Sequence, residues 1–310
     1  MSTAAISFPF LGDWSICPPN GFTLFGHTFY WYGVIIACGF LLAVSYCYRR
    51  CPEFGIKQDD LTDVLLFGVP LGIIGARIYY IVFFGNYRTF RDMIAIWEGG
   101  LAIYGGVIAA VITVFVVCRV KKISPLAVLD LIAFGLLIGQ LIGRWGNFMN
   151  REAFGYETDI FCRMGLTLDG TTIYVHPTFL YESLWNLVGF IALHIFSKKH
   201  PRKFDGQYFL TYLAWYGLGR GWIEGLRTDS LYVPGSDIRV SQVLAIVLFI
   251  ACTAALIVCL RSKKLTPDKL WVNRVAAAAE AAEAPEAASA EETETPAPAQ
   301  TDADVSDTET

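Results

Sequence analysis

Charged side chains are scarce in this chain of 310 residues. Asp, Glu, Lys and Arg make up 17% of it and hydrophobic residues 55%, whereas soluble domains carry about 25% charged residues. The mean hydropathy is +0.47. The shortage of charge excludes an ordinary soluble domain and indicates that lipid surrounds most of the chain.

Basic residues are missing from both ends of the chain. The first 28 residues contain no Lys or Arg, so they lack the basic region of a cleavable signal peptide, and we expect the first apolar run to remain as an anchor. Residues 275–310 hold ten acidic residues and neither Lys nor Arg, which leaves 24 basic against 18 acidic residues elsewhere. The Ala/Glu/Pro-rich composition of residues 263–310 predicts a disordered, acidic cytoplasmic tail.

The eight cysteines show no spacing typical of a metal site or a disulfide framework. Cys38, Cys252 and Cys259 lie inside apolar runs, where we interpret them as small hydrophobic residues. We expect neither a metal ion nor another cofactor, and no nucleic-acid partner.

Seven apolar runs each have about the ~20 residues that a helix needs to cross a bilayer. They predict an all-α fold, a polytopic membrane helix bundle with about seven transmembrane helices in residues 29–262. Residues 1–28 would form an outer N-terminal segment, and residues 149–178 an outer loop able to act as a small lid. The runs are residues 29–48, 62–84, 100–118, 126–146, 179–196, 207–224 and 240–260.

Basic residues are concentrated on alternate loops. They cluster at residues 49–57, 119–122, 198–203 and 261–264, whereas the intervening loops mix a few Arg with as many acidic residues. Positive charge on short loops marks the cytoplasmic side. The N-terminus is therefore predicted to lie outside and the C-terminus in the cytoplasm, which requires an odd number of spans.

Glycines recur at four-residue intervals in two of the runs. Small residues at this spacing let helices approach closely in lipid, so we interpret them as packing positions. They are Gly135, Gly139 and Gly143 in one run and Gly217, Gly221 and Gly225 at the end of another.

Ionisable residues within the runs cost roughly 2.5–3.5 kcal/mol each on insertion scales, so each is a candidate functional residue. The helix directions that follow from the loop charges place all of them, with three polar neighbours, in the outer part of the membrane. The ionisable residues are Arg77, Arg144, Glu182, Arg220 and Glu224, and the neighbours are Tyr104, Asn147 and His176.

A single arginine in this set could simply extend to lipid headgroups, but such arginines mostly lie on the cytoplasmic side. Arg220 and Glu224 are four residues apart, with Arg227 three further on, so an internal ion pair is expected to orient Arg220. Arg144 and Arg77 would then leave a surplus of positive charge. A semi-buried positive site needs an anion, and the guanidinium fork suits a phosphate.

Several segments resemble the prolipoprotein diacylglyceryl transferases, over roughly residues 29–260. The segment GRWGNFMNREAFG at residues 143–155 looks like the signature of that family. Further matches, in family order, are WYG at 31–33, GARIYY at 75–80, EGGLAIYGG at 98–106, HPTFLYE at 176–182 and YGLGRGWIEGLR at 216–227.

The resemblance implies a reaction and its partners. Members of the family transfer the diacylglyceryl group of phosphatidylglycerol to the thiol of the lipobox cysteine in a prolipoprotein signal peptide. The product is a thioether, glycerol phosphate leaves, and the step is the first in bacterial lipoprotein maturation. The expected location is the bacterial plasma (inner) membrane, with the site facing the outer side of the lipid bilayer.

The same resemblance, with the charge pattern, suggests residue roles. We expect Arg144 and Arg220 to bind the phosphate as it leaves, because preorganised donors in a dry site act best on developing charge. The remaining expected roles are Asn147 and Glu152 beside the headgroup, Gly155 in a tight backbone turn, Tyr32 and Arg77 lining the same cavity, and Glu224 orienting Arg220.

Tyr104 departs from the family pattern. Some members carry His-Gly-Gly where this chain has Tyr104-Gly105-Gly106, and that His is the attractive candidate for a general base. Tyr, with a reference pKa near ~10, is a poor base at neutral pH. Two roles for Tyr104 in catalysis stay open: a base activated by a neighbouring Arg, or, as we favour, a hydrogen-bond partner of a substrate. For His176, capping and packing at the start of a span are expected.

Two other classes share some of these features. An organic-anion transporter would also place Arg in spans, but it needs polar residues along its whole path, and the cytoplasmic halves here are almost purely apolar. A seven-span receptor shares the helix count, but no span carries a Lys able to hold a retinal-type chromophore. The residues therefore favour a transferase over a transporter or a receptor.

Overall fold

Long helices dominate the computed structural model, which describes residues 5–12, 14–85, 89–232 and 235–293. Lipid offers no hydrogen-bond partners, so apolar runs satisfy their backbone groups within helices. Each predicted run coincides with a long helix. These helices are α1 (Trp31–Arg50), α2 (Gln58–Phe84), α4 (Ile103–Lys121), α5 (Pro125–Asn150), α6 (Thr178–Lys199), α7 (Gln207–Ile223) and α8 (Val240–Arg261), and a short helix, α3 (Phe90–Ile94), follows α2.

The polytopic helical fold is thus confirmed. Six of these helices, all except α7, are long and apolar enough to cross a membrane by length and composition, within the residues described. Helix α7 has 17 residues and is shorter than the ~20 that a perpendicular span needs. The most extensive helix pairings are α1 with α5, α2 with α4, α7 with α8, and α5 with α6.

Two small antiparallel sheets accompany the helices. One has the strand order β2-β1-β5-β6 and the other pairs β3 with β4. Strand β4 leads directly into α1, and β5 and β6 connect α5 to α6, so both sheets lie at one end of the bundle, called here the sheet end. The strands are β1 (Ala5–Ser7), β2 (Ser15–Ile16), β3 (Gly21–Leu24), β4 (His27–Tyr30), β5 (Met164–Leu168) and β6 (Thr171–Val175).

The sheet of four strands has its own small core, in which Ile6, Met164 and Val175 are buried. Ile6 pairs with Leu166, and Met164 pairs with Val175. The sheet joins the segments that were predicted as the outer N-terminal segment and the outer loop. The all-α description therefore applies to the bundle, and the sheets are an addition to it.

The main core occupies the opposite end of the bundle, where Phe54, Leu61 and Phe134 are almost fully buried. At this end Asp130 of α5 caps the start of α7. Its Oδ2 accepts hydrogen bonds from the Gly206 amide (2.8 Å) and Arg202 (3.0 Å), and its Oδ1 accepts one from the Phe209 amide (2.9 Å).

The first part of the predicted disordered tail is instead helical, as α9 (Trp271–Thr293). Alanine has the highest helix propensity, and the helix is anchored at its first residue. The Trp271 amide donates to Asp205 Oδ2 and its indole Nε1 donates to the Gly55 carbonyl, both at 2.9 Å. The rest of the tail, residues 294–310, lies outside the described residues.

Candidate active site

Three arginines converge on one carboxylate at the sheet end. Glu182, near the start of α6, lies 2.5 Å from an Nη atom of Arg144, 3.1 Å from one of Arg220 and 3.0 Å from one of Arg227. Helices α5 and α7 end where α6 begins, so residues from three segments meet at the same depth. Sequence reasoning predicted this common depth for Arg144, Glu182 and Arg220.

Two further acidic residues complete this group, called here the arginine cluster: Arg144, Arg220, Arg227, Glu182, Glu224 and Asp229. Glu224 is almost fully buried and lies 2.6 Å from Arg220 as an ion pair four residues along the chain, which is the pairing expected from the sequence. Asp229 pairs with Arg227 at 2.6 Å. Three arginines thus face three carboxylates, so the positive surplus expected from Arg144 and Arg77 is not found here.

Ion pairing determines the titration of the two members that lie beyond the helices. The hydrogen bond from Arg227 lowers the pKa of Asp229 below its ordinary value. Burial alone would lower the pKa of Arg227, but Asp229 and Glu182 together raise it above its ordinary value. Both groups therefore stay charged at neutral pH.

Arg77 lies apart from the arginine cluster. Its guanidinium donates to the carbonyls of Asp92 (2.6 Å), Met93 (2.8 Å), Gly99 (2.5 Å) and Gly100 (3.0 Å). A buried arginine that binds several backbone carbonyls holds a loop in place. The structure therefore does not bring Arg77 to the cavity that sequence reasoning assigned to it.

Arg144 is the most accessible arginine of the cluster, with 25% of its side chain exposed against 17% for Arg220 and 10% for Arg227. Its Nη1 donates to Asn147 Oδ1 at 3.2 Å, and Asn147 donates in turn to Glu152 Oε1 at 2.9 Å. The exposed Glu152 ends this series. Asn147 and Glu152 therefore lie beside Arg144, and their expected position beside a lipid headgroup stays a prediction.

Arg144 also lines one end of a cavity of about 490 Å³ that α1, α2, α4 and α5 surround. Tyr32 and Asn147 share this polar end, called here the mouth, and apolar residues such as Cys47 and Leu65 line the deep end. Tyr32, predicted as a lining residue, is thus in place. Its ring packs so closely on Gly146 that a Cβ there would come within 2.6 Å of it, which explains the glycine within the GRWGN segment.

The glycine series of α5 has two functions rather than one. A Cβ on Gly135 would meet Cys47 at 3.1 Å and one on Gly143 would meet Ile36 at 3.2 Å, as expected of packing positions. A Cβ on Gly139 would meet no atom within 4 Å in the part of the chain described. All three glycines line the cavity, and at Gly139 the missing side chain leaves space open within it.

Gly155 permits a close approach rather than a tight turn. A Cβ on it would come within 2.6 Å of His176 and 2.7 Å of the Leu226 carbonyl. The left-handed backbone positions near the end of the signature are those of Arg151 (φ 54°) and Ala153 (φ 57°). The turn that was predicted at Gly155 is therefore made by other residues.

Tyr104 and His176 have contacts outside the arginine cluster. The Tyr104 hydroxyl lies 3.4 Å from Ser241 Oγ of α8. His176 Nδ1 lies 3.3 Å from the Tyr181 hydroxyl, and burial lowers the pKa of His176. The His176 backbone bonds with Gly155 and Tyr156, which matches the packing role expected of it.

Sequence reasoning missed the central position of Glu182 and the part played by Arg227. Glu182 was recognised as an ionisable residue inside a span but received no role. Arg227 follows Arg220 at seven residues, which is two helical turns, so helical periodicity already placed both on one face. The signal for Arg227 was present, whereas the convergence on Glu182 depends on how three segments pack.

A family model described as prolipoprotein diacylglyceryl transferase matches residues 19–258. A phosphatidylglycerol–prolipoprotein diacylglyceryl transferase of Lactobacillus delbrueckii subsp. bulgaricus is 48% identical over 232 residues, 71% of this chain and 83% of the relative. Proteins of the same name from Streptococcus equi subsp. equi (44% over 240 residues, 75% and 91%) and Enterococcus faecalis (43% over 267 residues, 82% and 93%) are also similar. The chain belongs to the prolipoprotein diacylglyceryl transferase family.

Proposed function

We propose that this chain transfers the diacylglyceryl group of phosphatidylglycerol to the thiol of a prolipoprotein cysteine, a step of lipoprotein maturation. The names of its relatives state this activity. The observation that carries it to this chain is an apolar cavity with Arg144 and Asn147 at its mouth. An anionic lipid has the same arrangement, with a charged headgroup on apolar chains.

The cavity has the depth that a lipid chain requires. Its lining extends along α1 from Tyr32 to Cys47, which is about 22 Å at the rise of an α-helix. One leaflet contributes about half of the ~30 Å hydrocarbon thickness of a bilayer. An acyl chain therefore fits along α1 and α5 while the phosphate stays beside Arg144.

The reaction exchanges one bond on the glycerol carbon. The thiolate sulfur attacks this carbon, a C–S bond forms, and the C–O bond to the phosphate breaks, so glycerol phosphate leaves with the bonding electrons. Arg144 and Arg220 stabilise the charge that develops on the phosphate. Glu182 holds both guanidinium groups before the lipid arrives, and Arg144, the most exposed, turns from Glu182 to the phosphate. Asn147 and Glu152 position the headgroup.

The thiol must lose its proton, and its ordinary pKa is about 8.5. In our proposal the thiol gives up its proton as it approaches, and the proton passes to solvent at the open mouth. Tyr104, held near Ser241, donates a hydrogen bond to a substrate and does not act as the base.

We also propose an acceptor, a membrane and an orientation for this chain. The acceptor is the lipobox cysteine of a signal peptide, the protein resides in the bacterial plasma (inner) membrane, and the site opens on its outer side. The alternation of basic loops supports this orientation. The sheet end, with the arginine cluster, would then face outward.

Purified protein in detergent, given phosphatidylglycerol and a lipobox peptide, should release glycerol phosphate and lipidate the peptide. Arg144→Ala and Arg220→Ala should abolish both products. Arg49→Ala, an exposed arginine at the end of α1 far from the sheet end, is the matched control and should retain them. Activity in both cluster variants would refute the site, and anion flux in liposomes without lipid transfer would refute the function in favour of a transporter.

A further inference from the structure

Gln140 is a polar residue in the cavity wall that has no role in the transfer reaction described above. It lies on α5 and lines the cavity together with Arg144. Its Nε2 donates to the Tyr212 hydroxyl at 2.9 Å. Its Oε1 is buried, and within the described residues no hydrogen-bond partner reaches it. One half of this amide is therefore unpaired in the part of the chain described.

The unpaired half of the amide can present either an acceptor or a donor. A buried polar atom without a partner is unfavourable, so a ligand that supplies one gains affinity. Rotation of the amide by 180° exchanges Oε1 and Nε2. The Tyr212 hydroxyl then donates to Oε1, and the Nε2 group takes the unpaired position in the cavity wall.

The depth of Gln140 indicates which ligand atom it meets. It lies four residues before Arg144, about 6 Å deeper along the helix. Beyond it α5 lines the cavity only with small or apolar residues, Gly139, Leu136, Gly135 and Ile132. From mouth to base, α5 thus presents a cation, an amide and then an apolar surface. A glycerophospholipid has the same order: phosphate, ester carbonyls and acyl chains.

We propose that Gln140 donates a hydrogen bond to an acyl ester carbonyl of the donor lipid, one helical turn deeper than the phosphate at Arg144. This inference rests on the proposed function. Gln140 would be a specificity residue that recognises ester-linked lipids, and it would fix the depth at which the glycerol carbon stops beside the incoming thiol.

The ester groups take no part in the chemistry, and this makes the inference testable. The bond that breaks joins the glycerol carbon to the phosphate oxygen, so a diether phosphatidylglycerol with alkyl chains of equal length remains a competent donor. It lacks only the carbonyl oxygens. The ratio of kcat/KM for the diester to that for the diether therefore reports the hydrogen bond to the carbonyl.

The unmodified protein should prefer the diester by roughly 3- to 10-fold, the factor that one neutral hydrogen bond supplies. Gln140→Leu should bring the ratio close to one by lowering the rate with the diester alone. Gln140→Met, which has a similar length and no donor, should do the same. Leu137→Met, a volume-conserving change at a buried residue of the same helix outside the cavity lining, is the control and should keep the ratio of the unmodified protein.

An unchanged ratio in Gln140→Leu would overturn the inference. If the kcat/KM values for both lipids also fell by the same factor, the result would indicate a structural role for Gln140. If Gln140→Leu does not fold, judged by its thermal unfolding midpoint in detergent, Gln140→Met decides the question by the same ratio. If the proposed function itself is wrong, the result is distinguishable, because the unmodified protein would then transfer neither lipid.

Discussion

At the scale of single residues, Glu182 has the most demanding position, since it is buried and contacts three arginines at 2.5–3.1 Å. Removal of one partner from a buried ion pair leaves a charge uncompensated, which is far more costly than loss of a surface pair. Glu182 is thus expected to support the fold and the site together.

Glu182→Gln should lower the free energy of unfolding by about 3 kcal/mol, because Arg144, Arg220 and Arg227 lose a shared counterion. Thermal unfolding in detergent would measure it. Glu152→Gln, which alters an exposed carboxylate, is the stability control and should shift the midpoint little. An unfolding midpoint for Glu182→Gln equal to that of the unmodified protein would contradict the role given to Glu182.

Tyr104→Phe tests the two roles considered for that hydroxyl. Loss of one neutral hydrogen bond should reduce kcat/KM by no more than about tenfold. Loss of a general base would reduce it by about 100-fold or more. Tyr79→Phe, whose ring lies 6.5 Å from that of Tyr104, serves as the control for packing. A 100-fold loss of kcat/KM in Tyr104→Phe that is absent from Tyr79→Phe would show that Tyr104 acts as the general base.

Helical spacing predicted some of these residues and not others. Arg220 and Glu224 are neighbours on one helix, so their ion pair follows from the sequence alone. Arg77 shows where such reasoning stops, since an arginine late in a span was assigned to the anion site. Arg77 instead donates to backbone carbonyls in the segment after α2. The pattern of side chains in a sequence cannot reveal backbone acceptors.

At the scale of helices and strands, hydropathy predicted the seven long helices because lipid forces apolar runs into helical structure. The strands were not predicted. Strands β1 and β2 have three and two residues, too few for alternation to be recognised, and β1 pairs with β5 more than 150 residues away. Helix α9 was missed because acidic, Pro-containing composition outweighed the helix propensity of its alanines.

Asp130→Ala should destabilise the start of α7 and the loop before it. The substitution removes acceptors from two backbone amides and leaves Arg202, which is 5% exposed, without this partner. We expect a loss of about 3 kcal/mol of stability, the range for breaking a buried pair. Faster limited proteolysis at residues 199–206 would show it. Asp59→Ala in the exposed first turn of α2 is the control, and equal protection in both variants would refute the capping role.

At the scale of the whole molecule, the proposed orientation places the sheets outside and α9 in the cytoplasm. A single cysteine introduced at Thr172, exposed on β6, should react in intact cells with a maleimide that cannot cross membranes. One introduced at Glu280, exposed on α9, should react only after permeabilisation. Both variants need a background in which the native cysteines are replaced. Labelling of the Glu280 position in intact cells would invert the topology.

The anchor at Trp271 also has a consequence for the order of events during synthesis. Its indole binds Gly55, just after the first long helix, and its amide binds Asp205, just before α7. Residue 55 leaves the ribosome well before residue 271, which follows all seven long helices along the chain. The ends of the first and sixth long helices that lie away from the sheet end therefore gain their shared contact only after Trp271 has been synthesised, so a nascent chain halted before Trp271 would hold all seven long helices without it.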